Sequence, residues 1–90
     1  MASEFSLEDE CLKIAKAEGF LVRKVRYDGR NGSPDRWFLR GGTWTLVEFK
    51  REDKEPTLQQ AREHDRLRAH GQPVHVVKTV AEFRRVLATA

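Results

Sequence analysis

Apolar and polar positions change their period several times along this chain, and each change marks an element. Between Ser33 and Lys50, two runs rich in Trp, Phe, Leu, Thr and Val flank Gly41-Gly42. A Gly-Gly pair suits a two-residue loop that needs positive φ, so this stretch predicts a β-hairpin. Counting outward from the turn pairs Arg40 with Thr43, Leu39 with Trp44, Trp37 with Leu46 and Asp35 with Glu48. Side chains alternate between faces, so Trp37, Leu39, Trp44 and Leu46 share one face with Asp35, Glu48 and Lys50. That face is apolar near the turn and carries two carboxylates and an ammonium at its far end.

The flanking segments follow other periods. From Ser6 to Glu18 the spacing is helical, with Leu7, Cys11, Ile14 and Ala15 as the apolar stripe. Ser6 is the expected N-cap, acidic residues crowd the first turn, and Gly19 ends the helix. Phe20 to Tyr27 reads as a strand, with Val22, Val25 and Tyr27 among Arg23, Lys24 and Arg26. Asp28 to Pro34 is dense in turn formers and predicts a loop, with Gly32 and Pro34 shaping the backbone that delivers Asp35. Beyond a charged connection, a helix is expected from a Thr57 cap to His70, with Gly71 stopping it. Its inward stripe would be Leu58, Ala61, His64 and Leu67. Pro73 to Lys78 predicts a short strand, and Val80 to Leu87 a last helix with Phe83, Val86 and Leu87 inward. The order is αβββαβα. A strand arriving after a crossover helix pairs in parallel, so the expected class is α/β, a mixed sheet flanked by helices.

Composition narrows the class. Ninety residues, 39% hydrophobic and 34% charged, predict a single small soluble domain across residues 1–90. No apolar run approaches the ~20 residues of a membrane span, and no signal peptide is recognisable. One cysteine excludes an intramolecular disulfide and fits a reducing, cytoplasmic setting. On its apolar stripe, Cys11 reads as a small core residue. The three histidines lack metal-ligand spacing, which argues against zinc. The net charge of +3 is uneven: −3 over residues 1–18, +4 over residues 19–54 and +2 over the remainder. Positive charge therefore centres on the hairpin segment, as a phosphate-binding surface would require. A mixed, solvated surface is the plain alternative.

The hairpin register raises an electrostatic question. Like charges directly across a strand pair, with Cβ atoms ~5 Å apart, are destabilising. A sheet has no structural reason to oppose Asp35 and Glu48, but a divalent cation supplies one. Hard oxygen ligands on neighbouring strands make a Mg²⁺ or Mn²⁺ site. Lys50 points to the same side. The combination predicts metal-dependent cleavage of a phosphodiester.

On these residues a family likeness becomes visible. G-S-P-D-R (Gly32 to Arg36) followed by E-F-K (Glu48 to Lys50) resembles the PD-(D/E)XK nuclease superfamily, whose core is restriction-endonuclease-like. Within it, the chain is similar to small stand-alone VRR-NUC (virus-type replication-repair nuclease) domains found in phages, along nearly its whole length. The resemblance implies Mg²⁺ or Mn²⁺ held by Asp35, Glu48 and the Phe49 carbonyl. Lys50 would orient or deprotonate the attacking water, or neutralise charge on the phosphate. Gln60, eleven residues before Gly71, matches the family's glutamine at the entrance to a helix, where its amide would hold a phosphate or a water. One glutamate of the first helix would border the site: Glu8 by its spacing to Gly19, with Glu10 the alternative.

Lys24 matches a lysine the family often carries near the site, against the simple reading of an exposed strand lysine. Arg30 and Arg36, in and beside the loop, are candidate DNA contacts, because such loops position phosphates. His64, one turn after Gln60, is a further candidate against the alternative of a packed side chain. The implied activity is a structure-selective DNA endonuclease acting on branched or four-way-junction DNA. It would work as a homodimer in a bacterial or phage-infected cell. Two rivals are a catalytically inactive nucleic-acid-binding module on the same fold and a structural hairpin with Asp35 and Glu48 salt-bridged to Lys50 and nearby arginines. Intact Asp35, Glu48 and Lys50 weigh against both.

Overall fold

A computed structural model describes residues 3–90. Helix α1 spans Glu4–Ala17 and begins one turn before the expected start, because Ser3 rather than Ser6 is its cap. The Ser3 hydroxyl accepts the Ser6 backbone N–H, satisfying one of the free donors at the helix start. Leu7, Cys11 and Ala15 recur at four-residue spacing and are buried, while Ile14 packs at their edge.

Three antiparallel strands follow: β1 at Leu21–Arg23, β2 at Arg36–Arg40 and β3 at Thr43–Phe49. The hairpin turns through Gly41 and Gly42, both at positive φ, 61° and 79°. Its register is the expected one, with Arg40 opposite Thr43, Leu39 opposite Trp44 and Trp37 opposite Leu46. Strand β1 is shorter than the run Phe20 to Tyr27 predicts. It pairs only Leu21, Val22 and Arg23, with Leu39, Phe38 and Trp37, and β2 runs out one residue later at Arg36. Past Arg23 the chain leaves the sheet: the Ser33 hydroxyl donates to the Val25 carbonyl, and the Tyr27 hydroxyl is drawn to Glu63.

Helix α2, Leu58–Ala69, returns the chain so that β4, Val74–Val77, lies parallel to β3. Helix α3, Val80–Ala88, is capped by Thr79. The fold is α/β: a mixed sheet in the order β1-β2-β3-β4, flanked by helices on both faces. One face, with Phe38, Val47 and Phe49, packs against Leu7, Cys11 and Ala15 of α1 and Phe83 and Leu87 of α3. Three phenylalanines meet there, Phe38 and Phe49 lying 5.3 and 5.9 Å from Phe83.

The other face, which carries Glu48 and Lys50, is covered by α2. The inward side of α2 differs from the predicted stripe. Leu58 is 65% exposed and Glu63 is buried in its place, while His64 is buried as expected. The part of the sheet beneath α2 is carboxylate-bearing, so polar side chains are the ones drawn inward there.

Candidate active site

The hairpin brings its two carboxylates together because the strand register leaves them no choice. Asp35 immediately precedes β2, and Glu48 lies on β3 next to its end. The Asp35 carboxylate accepts the Phe49 backbone N–H at 2.8 Å, which ties the end of the loop across to the partner strand. Burial pushes the Asp35 carboxyl up to about 6, with the neighbouring Glu48 charge as the second cause. The Phe49 N–H opposes this, and the charge of Glu8 adds to it.

Glu48 is 1% exposed, a carboxylate placed fully inside the fold. Three side chains surround it. Gln60 donates from its amide to Oε2 at 3.0 Å, Lys50 Nζ stands 3.8 Å from the same oxygen, and His64 Nε2 lies 3.8 Å from Oε1. Glu48 Oε1 and His64 Nε2 are both buried without a hydrogen-bond partner among the described residues. Leaving such groups unpaired costs ~1–3 kcal/mol each, so this pocket favours something that can engage them.

The helix cap holds Gln60 in place. Thr57 and Gln60 form a capping box, in which the Gln60 carbonyl oxygen accepts the Thr57 N–H at 2.9 Å. One amide thus closes the helix end with its oxygen and reaches the sheet with its nitrogen. Both ends are engaged, so Gln60 fixes the orientation of Glu48 and does not extend freely toward a substrate.

Of the two glutamates weighed on α1, Glu8 lies near the carboxylate pair. Its charge acts on Asp35, and its Oε2 accepts Arg36 Nε at 2.5 Å. Glu10 lines a separate cleft with Ser6, Glu52 and Lys78. Arg36, expected at a DNA surface, is instead turned onto α1 and paired with Glu8. The sheet alternation explains this, since Arg36 shares its face with Phe38. His64, considered as a contact, lies buried behind Glu48. Lys24 is exposed just beyond β1, and Arg30 is exposed in the following loop.

Tyr27 and Glu63 gain roles that the pattern did not assign, and Gly32, expected to shape this loop, gains its partner. Tyr27 donates its hydroxyl to Glu63 Oε2 at 2.8 Å, pinning the loop to α2. That carboxylate, after burial, helps push the Tyr27 phenol up to about 12. Gly32 is pressed against the same helix: a Cβ there would lie 2.8 Å from the Gln59 carbonyl oxygen. Glu63 lies one turn after Gln60, a spacing that marks it as sharing the inward face.

A Mg²⁺- or Mn²⁺-type ion can be tested against these donors. Two carboxylates whose charges repel, and a buried Glu48 oxygen without a partner among the described residues, fit a hard cation that takes oxygen ligands. Among the described residues no three His, Cys, Asp or Glu side chains converge, so the side chains alone supply two such ligands.

No family model and no curated protein matches the chain. A solved structure described as a "VRR_NUC domain" does, with 33% identity, a TM-score of 0.88 and 97% of each chain covered.

Proposed function

This chain belongs to the VRR_NUC family of nuclease domains, and from that premise we propose that it is a divalent-metal-dependent endonuclease of DNA. The observation that carries the reading is the opposition of Asp35 and a buried Glu48, a pairing that costs stability unless a cation or a proton stands between them. Asp35, Glu48 and the Phe49 carbonyl would hold Mg²⁺ or Mn²⁺. When bound, the ion supplies Lewis-acid stabilisation of the charge that develops on the phosphate.

The chain's own groups do the rest. Gln60 holds Glu48 in one orientation. Lys50, close to Glu48 and half-buried, offers its ammonium to the phosphate oxygens or, once deprotonated, takes a proton from the attacking water. Glu8 and Arg36 pair on the α1 side of the site, where the charge of Glu8 acts on Asp35. Lys24 and Arg30, exposed near the loop, are free to meet phosphates, while His64 supports Glu48 from behind.

The finer reading is a structure-selective enzyme that acts on branched or four-way-junction DNA as a homodimer. Its setting would be the cytoplasm of a bacterial or phage-infected cell. Backbone-directed contacts suit such a substrate, because phosphates carry shape and not sequence. Incubation with linear, flap, fork and junction DNA in Mn²⁺, Mg²⁺ or EDTA tests it. Nicking that requires the metal is expected. Equal cleavage in EDTA would sink the assignment, and binding without cleavage of any substrate would reassign the chain as an inactive DNA-binding module.

A further inference from the structure

A cavity of about 300 Å³ is lined by Arg30, Asn31, Gln59, Arg62 and Arg66. One wall is the loop between β1 and β2. The other is a face of α2 on which Gln59, Arg62 and Arg66 follow at helical spacing. Three guanidinium groups share this space. Among the described residues only Arg66 has an acidic partner, Glu63 Oε1 at 3.3 Å, and the other oxygen of that carboxylate is taken by Tyr27. Arg62 and Arg66 stand one turn apart, an arrangement of like charges that weakens a helix. The first turn of α2 carries no acidic residue, so the helix dipole adds to the positive potential.

The cavity adjoins the carboxylate pair through both segments that build it. The loop that carries Arg30 and Asn31 ends at Asp35, and Gln59 is followed directly by Gln60, which holds Glu48. Gly32 seats the loop against the Gln59 carbonyl.

We propose that this cavity is a second phosphate subsite, one that holds a non-scissile phosphodiester of the DNA strand being cut at Asp35 and Glu48. It rests on the function proposed above. Guanidinium groups match a phosphate in bidentate geometry, and the amides of Asn31 and Gln59 add donors. No aromatic or apolar side chain lines the cavity, so it holds backbone and reads no base. Repulsion among the arginines is relieved when the anion enters.

The test is fluorescence anisotropy of labelled duplex and junction DNA in EDTA, where nothing is cleaved, over a series of NaCl concentrations. Wild type, Arg30→Ala, Arg62→Ala and the distant control Arg84→Ala on α3 are compared, with thermal melts to verify folding. Arg30→Ala and Arg62→Ala should each weaken binding several-fold and flatten the log–log salt slope by about 0.9, one released counterion fewer. Arg84→Ala should do neither. In the metal-dependent cleavage assay the same two variants should raise KM and leave kcat within about twofold.

Wild-type affinity and slope in both variants would overturn the subsite while leaving the nuclease reading intact. So would an equal loss in Arg84→Ala, which would mean a diffuse field. Arg62-dependent binding of inorganic phosphate, with DNA affinity unchanged, would make the cavity a free-anion site and overturn its assignment to DNA. Failure of the wild type to bind any DNA would remove both proposals together.

Discussion

At the scale of single residues, Asp35 is where burial and charge meet. Its carboxyl titrates near 6 in the folded protein, against 3.8 for the free group. The folded state therefore holds a proton that the unfolded chain has released, and metal-free stability falls as pH rises between those values. The loss is on the order of 2–3 kcal/mol, from the free energy of a shift that large. Asp35→Asn removes the charge yet keeps an oxygen to accept the Phe49 N–H, and its amide can donate toward Glu48. The metal-free variant should accordingly be as stable as wild type near pH 3, below both values, and more stable at pH 8. Mn²⁺ should raise the melting temperature of wild type and scarcely move the variant, since a ligand stabilises only the state it binds. Thermal melts at the two pH values, with EDTA and with Mn²⁺, read both effects. A marked destabilisation of metal-free Asp35→Asn would point to a structural salt bridge.

Cys11 is the opposite case, a group silenced by its surroundings. It is fully buried, and burial, with Glu10 beside it, pushes its thiol up to about 12. Only the thiolate reacts. Ellman's reagent should therefore leave the native protein unmodified at pH 8 and titrate one thiol after denaturation in guanidinium chloride. Rapid modification without denaturant would contradict the packing of α1 on the sheet.

Elements explain why the site holds its shape. Strand β1 stops early, and the chain then crosses to α2, where Tyr27 and Gly32 fasten the loop that ends at Asp35. Gly32 has φ of 99°, and any side chain there meets the Gln59 carbonyl. Gly32→Ala should cost on the order of 2 kcal/mol, the scale of a strained backbone position. Because the loop delivers Asp35, cleavage should fall further than the remaining folded fraction explains. Chemical denaturation combined with single-turnover cleavage separates the two effects. Stability and activity both equal to wild type would show that the loop is not seated on α2.

For the molecule as a whole, the proposed homodimer follows from size and substrate. A chain with extents of 34 × 32 × 22 Å offers little surface to grip a branched DNA, and a two-fold protein suits a two-fold junction. Light scattering should give twice the chain mass at micromolar concentration, with or without DNA. A monomer under both conditions would remove the dimer and leave the chemistry of the single chain untouched. The described helices include none long and apolar enough to cross a membrane.

Sequence alone determined the elements whose signals are local. A Gly-Gly turn between β-rich runs specified the hairpin and its register, and the register placed Asp35 across from Glu48. A capping threonine and a helix-ending glycine located α2, and the apolar side of Phe83, Val86 and Leu87 located α3, each within a residue or so. Local signals could not say where β1 ends, because its length depends on how far β2 runs beside it. Nor could they say which face of α2 turns inward. Apolar periodicity favoured Leu58, but the face beneath α2 carries Glu48, and that buried carboxylate draws in Gln60 beside the expected His64. The same holds for Arg36, whose partner on α1 is 28 residues away in the chain. The basic cavity is also a product of folding, since a loop arginine and a helix face become one surface only when Gly32 meets Gln59. Local residue preferences act over a few residues; burial and charge pairing act across the fold, and only the tertiary structure decides them.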